Sequence, residues 1–473
     1  MGIQGLTSFI EANNQIYRDV RFRDSRLVVD GYNLSCHLYF TAGLEQTYGG
    51  EYAAYADLIE SFVKALRGCG IQPYVVLDGG DDHTDKKLET KKQRAKARIQ
   101  AAHERSMGMP TRGDILPLMC KLLFRQTLVR LEVPVVLSSS EADREVAALA
   151  SEWQCPVLSK DSDFYIFDLP AGLLPIPHFQ WEVAAQRGFV PCKKYTASSF
   201  CSFYNIQRRI LPAFAALAGN DYVKLEDMGV TLRLEVHKRS RSAYLGALLR
   251  WLRGFQESQE ALVASLRLMV GVSRQNEAEV LQNLSVGMEE YQLPPSALSR
   301  FFTDGTVPPL PPEDRAVAPD WFRLPFTEGR LDKVILNVLR LRRARLPVMV
   351  EHGSLPSSHL TSRPIRQVMY GLLLGEEEVE EYDREVINAK NINFQGRRLG
   401  ALLCPHQCPN QSYAPGDVCV EALQVENTHA TPRLDRDVAH AFNQWQSCVT
   451  VSIQLNQLLT NHYNQLQTMM ICS

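Results

Sequence analysis

Acidic side chains recur at the ends of short apolar segments in the first half of this chain. Seven carboxylates share a position at or just beyond the end of such a segment: Asp30, Asp78, Glu141, Asp143, Asp161, Asp163 and Asp221. The apolar runs before the first six are short, rich in Val and punctuated by Gly, Pro or Ser, which is typical of buried parallel strands. Because ligands bind beyond the carboxyl ends of parallel strands, we expect these groups to share one edge of a sheet.

A shared edge would give these carboxylates a defined chemistry. Like charges packed together raise one another's pKa, and hard divalent cations remove that cost. Mg²⁺ and Mn²⁺ prefer carboxylate and water oxygens, and a pair of such ions suits hydrolysis of phosphodiester bonds. The structural alternative for any single Asp is a helix N-cap or a turn former. The recurrence at seven positions favours a site for two Mg²⁺ or Mn²⁺ ions.

The elements that must position these groups alternate between strand and helix over residues 1–225. Helical patterns at 52–67, 116–131 and 142–153 separate the strand-like runs, which predicts an α/β domain with a mostly parallel sheet. Beyond Asp221 the strand patterns fade, and we expect a helical extension over 226–305. The proline-rich residues 306–325 predict an extended linker. Residues 326–473 are expected to be mostly helical, with a C-terminal helix over 435–459.

Composition excludes several classes of protein. With 473 residues, 45% hydrophobic and 22% charged, the chain is typical of a globular protein of several domains. No apolar run reaches the roughly 18 residues of a membrane span, and the N-terminus does not resemble a signal peptide. We therefore expect reduced thiols for the eleven cysteines, in the cytosol or nucleus. The net charge of -2 leaves room for local basic faces.

Six separated motifs occur in an order that resembles a known family. They are Met1-Gly2-Ile3-Gln4-Gly5-Leu6, Val29-Asp30, Leu77-Asp78-Gly79, Glu141-Ala142-Asp143, Asp161-Ser162-Asp163 and Gly219-Asn220-Asp221-Tyr222. The region resembles the flap-endonuclease, or XPG-like, family of structure-specific nucleases, and most resembles its asteroid branch. The resemblance covers about residues 1–225. It implies a PIN-like fold, metal-dependent hydrolysis of DNA, and a role in DNA repair, hence in the nucleus of a eukaryote.

The resemblance also implies roles for the acidic residues. Asp78 and Asp143 would hold the first ion and take part directly in catalysis, and Asp161 and Asp163 would hold the second. Asp30, Glu141 and Asp221 would act through water molecules. Relatives usually carry Glu where Asp143 stands, so the shorter side chain is expected to shift one ion and affect the rate.

A basic stripe falls in residues 79–140, the segment that forms an arch over the active site in this family. Lys87, Lys91, Arg94 and Arg98 are spaced i, i+4, i+7 and i+11, which places them on one helical face. Such a face would bind phosphates of DNA, and a solvated surface helix is the alternative. The resemblance assigns catalytic roles to Lys87 and Arg94. It also places Gly2 and Gln4, in the amino-terminal turn, close to DNA.

One departure from the family bears on the substrate. Relatives follow the last acidic motif with a helix–two-turn–helix element whose glycine-rich hairpin binds duplex backbone, and residues 223–230 lack its paired glycines. Only the basic run around Arg239 could substitute. We therefore expect weak binding of duplex and a preference for single-stranded or overhanging DNA. Two alternatives remain open: a non-catalytic scaffold that binds nucleic acid or protein, and a nuclease that acts on RNA.

Overall fold

The computed structural model describes residues 2–82, 84, 87–111, 113–235, 240–384, 397–399 and 436–472. The α-helices in these residues are α1 Leu6–Glu11, α2 Gly31–Thr41, α3 Tyr52–Gly68, α4 Leu88–Ser106, α5 Cys120–Arg130, α6 Asp143–Glu152, α7 Ala184–Arg187, α8 Ala197–Tyr204, α9 Leu211–Ala218, α10 Arg241–Leu252, α11 Ser258–Ser265, α12 Glu277–Glu289, α13 Ser299–Asp304, α14 Pro312–Arg315, α15 Arg323–Thr327, α16 Lys333–Leu341, α17 Arg363–Leu374 and α18 Arg436–Cys472. The strands are β1 Arg18–Phe22, β2 Arg26–Asp30, β3 Gln72–Leu77, β4 Val135–Leu137, β5 Val157–Ser159, β6 Leu173–Pro175, β7 Val190–Lys194, β8 Thr231–Leu232, β9 Met269–Val270, β10 Arg343–Arg345, β11 Val379–Tyr382 and β12 Arg397–Leu399.

A five-stranded sheet in the order β4-β3-β2-β5-β6 is the centre of the α/β fold. The central strand β2 is fully buried at Leu27, Val28 and Val29, and it pairs in parallel with both β3 and β5. Apolar side chains on both faces of a strand require layers on both sides, which is why these runs form interior parallel strands. The predicted α/β class with a mostly parallel sheet is confirmed.

The chain folds into two compact units, each assembled from separate stretches. The first unit comprises Met1–Leu34, Phe62–Val76 and Glu141–Gly305, and the second comprises Ser35–Ser61, Leu77–Ser140 and Thr306–Ser473. The predicted arch segment therefore belongs to the same unit as the C-terminal part of the chain.

Helix α9 is the centre of the helical part of the first unit. Seven of its eight residues, from Leu211 to Ala218, are buried, and it packs against α10, α11 and α12. After Asp221 the chain forms a 3-10 turn at Glu226–Met228 and then β8, which pairs antiparallel with β9. Residues 223–235 therefore contain a 3-10 turn and a short strand in place of the glycine-rich hairpin of the flap endonucleases, whose paired glycines this sequence lacks.

The predicted arch segment begins and ends at adjacent backbone hydrogen bonds in the second unit. Ser138 donates its N–H to the carbonyl of Leu77 at 2.9 Å, and Gly79 donates to the carbonyl of Ser140 at 2.8 Å. A Cβ on Gly79 would overlap the Ser138 carbonyl oxygen, so the close approach requires glycine. Within the segment, α4 confirms the predicted basic helix.

The proline-rich stretch is not the extended linker that its composition predicted. Residues 312–327 form α14, a 3-10 turn and α15, and the side chains of Phe322 and Phe326 are almost fully buried. Asp314 is also buried and accepts a hydrogen bond from Arg340 Nε at 2.6 Å. Apolar residues between the prolines supply enough buried surface to fold the stretch, which a proline count does not reveal.

A buried polar network joins α17 and α18 within the second unit. Arg366 of α17 donates a hydrogen bond to the carbonyl of His359 at 2.9 Å, and His359 in turn contacts α18. Arg366 and Glu381 form a buried ion pair, with Arg366 Nη2 2.9 Å from Glu381 Oε2. His359 contacts Ser447 Oγ of α18 through Nδ1 at 3.0 Å and the carbonyl of Pro347 through Nε2 at 2.8 Å. The predicted C-terminal helix is confirmed, and α18 extends beyond the expected residue 459 to Cys472.

Arg239, the centre of the basic run that could substitute for the missing glycine-rich hairpin, lies outside the described residues. Among the helices that the structure describes, none has the length and apolar character needed to cross a membrane.

Candidate active site

Asp30 and Asp161 are connected through a serine at the carboxyl edge of the sheet. The parallel register of β2 and β5 pairs Val29 with Leu158, which places Asp30 beside Ser159. The Ser159 hydroxyl donates to Asp30 Oδ2 at 2.7 Å and accepts the N–H of Asp161 at 3.0 Å. Asp30 is only 6% exposed, so this hydrogen bond compensates part of the cost of burying its charge. The sheet therefore brings together the first and fifth of the predicted carboxylates, as expected.

Asp163 joins the same group through the next turn. Asp161 caps the 3-10 helix Ser162–Tyr165, and its Oδ1 accepts the N–H of Asp163 at 3.2 Å. Asp163 is buried, and its Oδ1 accepts a hydrogen bond from the hydroxyl of Tyr291 at 2.7 Å. Burial and the neighbouring Asp163 carboxylate raise the pKa of Tyr291 well above its usual value. Tyr291 therefore remains a protonated donor, and nothing in the sequence near it indicated this role.

The amino-terminal turn packs directly against these carboxylates. A Cβ added to Gly2 would lie 2.5 Å from Asp163 Oδ1, and the φ of Gly2 is +35°. Ile3 donates its N–H to Ser162 Oγ at 2.8 Å. Gln4 is exposed, and its carbonyl accepts a hydrogen bond from Arg241 Nε at 2.9 Å. The predicted turn is thus close to the acidic residues, while DNA contacts of Gly2 and Gln4 remain predictions.

Two other predicted acidic residues of the first unit lie at the start of a helix and beside a turn. Asp143 is the first residue of α6, where the helix dipole favours a negative charge. Asp221 is half-buried and follows Asn220, whose Oδ1 accepts the N–H groups of Tyr222 and Val223 at 2.9 Å each. Metal-binding roles for Glu141, Asp143 and Asp221 stay predictions.

The predicted carboxylates of the described residues bear on whether this edge of the sheet could hold a metal ion. Among the residues that the structure describes, no three Asp, Glu, His or Cys side chains are grouped closely enough to hold an ion. Like charges repel, and the carboxylates of Asp30 and Asp163 instead accept hydrogen bonds from hydroxyl groups. A carboxylate offers about four acceptor positions on two oxygens, so these bonds are compatible with a cation on the same group. The donor chemistry of these carboxylates therefore fits Mg²⁺ or Mn²⁺.

Asp78 and the basic stripe lie in the second unit. Asp78 directly follows β3, whose Val76 pairs with Asp30 in the sheet. Lys87 immediately precedes α4 and is only 6% exposed, whereas Arg94 is half-buried and Arg98 is exposed. The stripe is therefore not a uniformly solvated helix face. Its phosphate-binding and catalytic roles remain predictions.

Asp81 organises part of this stripe, although no sequence pattern singled it out. Lys91 Nζ lies 2.8 Å from Asp81 Oδ1, and Arg345 forms an ion pair with the other oxygen. Burial acts to raise the pKa of Asp81, but Arg345 and Lys91 outweigh it, and the pKa lies below its usual value. Asp81 is therefore ionised at neutral pH and fixes the position of Lys91.

Comparison with known domains and proteins places the chain in a family. Residues 1–101 match the XPG N-terminal domain, residues 89–266 match the domain described as "XPG domain containing", and residues 407–471 match the Asteroid N-terminal domain. The chain belongs to the XPG-like nucleases, in the asteroid branch. It is 34% identical to the Danio rerio protein named "Single-strand DNA endonuclease ASTE1" over 553 residues, which cover 97% of this chain and 78% of that relative.

Other relatives are similar over part of their length. The Homo sapiens protein with the same name is 41% identical over 387 residues, covering 79% of this chain and 56% of the relative. The catalytic core of Rad2 in complex with DNA is 17% identical, with a TM-score of 0.39 over 63% of this chain and 95% of that structure. Human GEN1 in complex with Holliday junction DNA is 14% identical, with a TM-score of 0.37 over 78% of this chain and 80% of that structure. These partial structural overlaps carry no information about the substrate.

Proposed function

We propose that this protein is a structure-specific, divalent-metal-dependent endonuclease that hydrolyses phosphodiester bonds in DNA. The observation that carries the proposal is the connected group at the carboxyl edge of the sheet. Asp30, Ser159, Asp161, Asp163 and Tyr291 are linked there by hydrogen bonds of 2.7–3.2 Å. Membership of a nuclease family and the name of the Danio rerio relative support the same reaction.

Two Mg²⁺ or Mn²⁺ ions would be held by the predicted carboxylates, in the division between first and second ion that the family resemblance implies. When bound, they would lower the pKa of a bound water and stabilise charge on the attacking and leaving oxygens. Ser159 and Tyr291 orient Asp30 and Asp163 through their hydroxyl groups. Lys87 and Arg94 would attract the scissile phosphate.

Single-stranded or overhanging DNA is the proposed substrate. Residues 223–235 form a 3-10 turn and a short strand where flap endonucleases bind duplex backbone, so an interaction that favours duplex is missing from these described residues. We also propose a role in DNA repair and a nuclear location, which the family resemblance of the sequence implies.

The decisive experiment compares cleavage of end-labelled substrates with Mg²⁺, with Mn²⁺ and with EDTA. Single-stranded DNA, a 3′ overhang, a 5′ flap, a blunt duplex and a matched RNA strand are tested side by side. The proposal predicts metal-dependent cutting of the first two, and loss of cutting in the double variant Asp161→Asn, Asp163→Asn. A strong preference for the 5′ flap would contradict the proposed substrate, and equal cutting of RNA would contradict specificity for DNA.

A matched control removes the same type of charge elsewhere in the first unit. Asp168 has 59% of its side chain exposed and pairs only at the surface with Arg208, so Asp168→Asn should retain full activity. Thermal unfolding of all variants confirms that each is folded. If the folded wild type cuts none of the substrates, the non-catalytic scaffold becomes the better explanation.

A further inference from the structure

The backbone that follows Asp78 is buried without belonging to a helix or a strand. It comprises residues 79–81, which we call the Asp78 loop, and its three residues Gly79, Gly80 and Asp81 are all buried. Backbone N–H and C=O groups that lie away from water need hydrogen-bond partners, and regular secondary structure does not supply them within these three residues. The partners must therefore come from residues that pack against the loop.

Helix α16 supplies two of these partners from its polar side chains. Asn337 Oδ1 accepts the N–H of Asp81 at 2.7 Å, and Arg340 Nη1 donates to the carbonyl of Asp81. A Cβ added to Gly80 would lie 3.0 Å from Asn337 Oδ1, so the helix and the loop are in close contact. Both backbone groups of Asp81 are therefore bound by residues that come 256 and 259 positions later in the chain.

Arg340 also binds the backbone that lies beside the Asp78 loop, just after β4. Its Nη2 donates to the carbonyl of Ser139 at 3.1 Å. Ser139 is next to Ser140, whose carbonyl accepts the N–H of Gly79 at 2.8 Å. A single guanidinium therefore holds together the backbone that follows β3 and the backbone that follows β4, directly after Asp78.

The orientation of the Arg340 guanidinium is fixed by a buried ion pair. Asp314 accepts a hydrogen bond from Arg340 Nε at 2.6 Å and another from Nη2, and the side chains of Arg340 and Asp314 are only 6% and 1% exposed. A two-point contact with a carboxylate fixes the plane of a guanidinium as well as its position. Lysine carries its N–H groups on a single nitrogen and cannot reproduce this geometry. The bonds to both carbonyls therefore depend on arginine at this position.

We infer that Arg340 is a positioning residue for Asp78, which it holds in place for metal binding through the backbone of the Asp78 loop. The inference rests on the proposed function, in which Asp78 would hold the first ion. Groups that orient a metal ligand typically change metal affinity or activity by about 10–100-fold when they are replaced. The C-terminal part of the chain, to which the sequence assigned no role, thereby supports the active site.

Binding of Mn²⁺ in the absence of DNA tests the inference without any cleavage. The EPR signal of free Mn²⁺ is followed while the wild type and Arg340→Lys, which keeps a positive charge beside Asp314, are titrated. Arg340→Lys should weaken Mn²⁺ binding by about tenfold or more. In the Asp78→Asn background the same substitution should have little further effect, because the ligand that Arg340 positions is gone. A merely structural role would weaken binding equally in both backgrounds.

The control makes the same substitution in another buried ion pair of the second unit. The side chains of Arg366 and Glu381 are 2% and 4% exposed, and Arg366 binds Ser362 and the carbonyl of His359 rather than the Asp78 loop. Arg366→Lys should lose a similar amount of stability in urea unfolding and yet bind Mn²⁺ as the wild type does.

A second variant keeps the test decisive if Arg340→Lys does not fold. Asn337→Leu leaves the ion pair of Arg340 and Asp314 in place and removes only the acceptor of the Asp81 N–H. It should weaken Mn²⁺ binding in the same direction as Arg340→Lys, because it releases the same loop.

The outcomes separate this inference from the proposed function. If Arg340→Lys and Asn337→Leu fold and bind Mn²⁺ as tightly as the wild type, the inference is overturned and the metal-dependent nuclease still stands. Equal losses in Arg340→Lys and Arg366→Lys would also overturn it, since the effect would then reflect stability alone. A folded wild type that binds no Mn²⁺ would count against the proposed function, and the inference would fall with it.

Discussion

Replacing Gly287 with alanine should destabilise the first unit, although alanine favours helices. Gly287 lies in the last turn of α12, and its carbonyl accepts a hydrogen bond from Asn220 Nδ2 at 3.0 Å. An added Cβ would overlap Cγ1 of Val223 and lie 3.3 Å from its Cβ. Val223 is buried and stiff at χ1, so the helix must move away.

The magnitude follows from two opposing contributions. Overpacking of a buried contact typically costs about 1–3 kcal/mol. The higher helix propensity of alanine returns up to about 1 kcal/mol, and less in a terminal turn. We therefore expect Gly287→Ala to lower the free energy of unfolding by about 1–2 kcal/mol. Activity should also fall, because the movement of α12 disturbs Asn220 and hence the turn that carries Asp221.

A second glycine in the same unit provides a control of opposite sign. Gly246 lies in the middle of α10, and an added Cβ would meet Arg250 and Phe9 at an ordinary 3.8 Å. Gly246→Ala should therefore stabilise the protein by about 0.5–1 kcal/mol. The midpoints and slopes of urea unfolding report both changes. Equal stability of the two variants would contradict the claim that a side chain at residue 287 is too close to Val223.

Two further predictions concern buried polar groups. Tyr291→Phe removes a hydrogen bond to the Asp163 carboxylate and should lower the free energy of urea unfolding by about 1.5–3 kcal/mol. Tyr244→Phe removes a hydrogen bond to the backbone carbonyl of Leu217 and should lower it by only about 0.5–1.5 kcal/mol. Equal losses would contradict the stronger bond that we assign to the charged acceptor. Burial lowers the pKa of His359 below 6.5, so the unfolded chain binds a proton more readily and stability should decrease as pH falls through this value. The decrease should be smaller in His359→Gln, and an unchanged pH dependence would contradict this assignment.

The sequence predicted the interior strands well because their apolar runs require burial on both faces. It did not predict β1, whose residues Arg18 to Phe22 are mostly exposed and lie in a two-stranded ribbon with β7. It also missed β6, which is only three residues long and ends in Pro175. Short or polar strands are stabilised by their partners, and a single sequence does not identify those partners.

The candidate active site was also predictable only in part from a single sequence. Acid residues at strand ends were predictable because parallel strands end at one edge of the sheet. Their hydroxyl partners were not, since Tyr291 is 128 residues away from Asp163 and reaches it only through the packing of the helical extension. Asp81 was missed for the same reason, because Arg345 comes from the C-terminal part of the chain.

The hydrogen bonds Leu77–Ser138 and Gly79–Ser140 join the chain just past the ends of β3 and β4, which are neighbouring strands of the sheet. Residues 78–134 connect these two strands, so the connection leaves the sheet after Leu77 and returns to it at Val135. Each doubling of a flexible loop adds only about 0.6 kcal/mol of closure entropy. Insertions and deletions in the parts of this connection outside α4 and α5 are therefore a low-cost evolutionary route to new substrate shapes, whereas Gly79 itself tolerates no side chain.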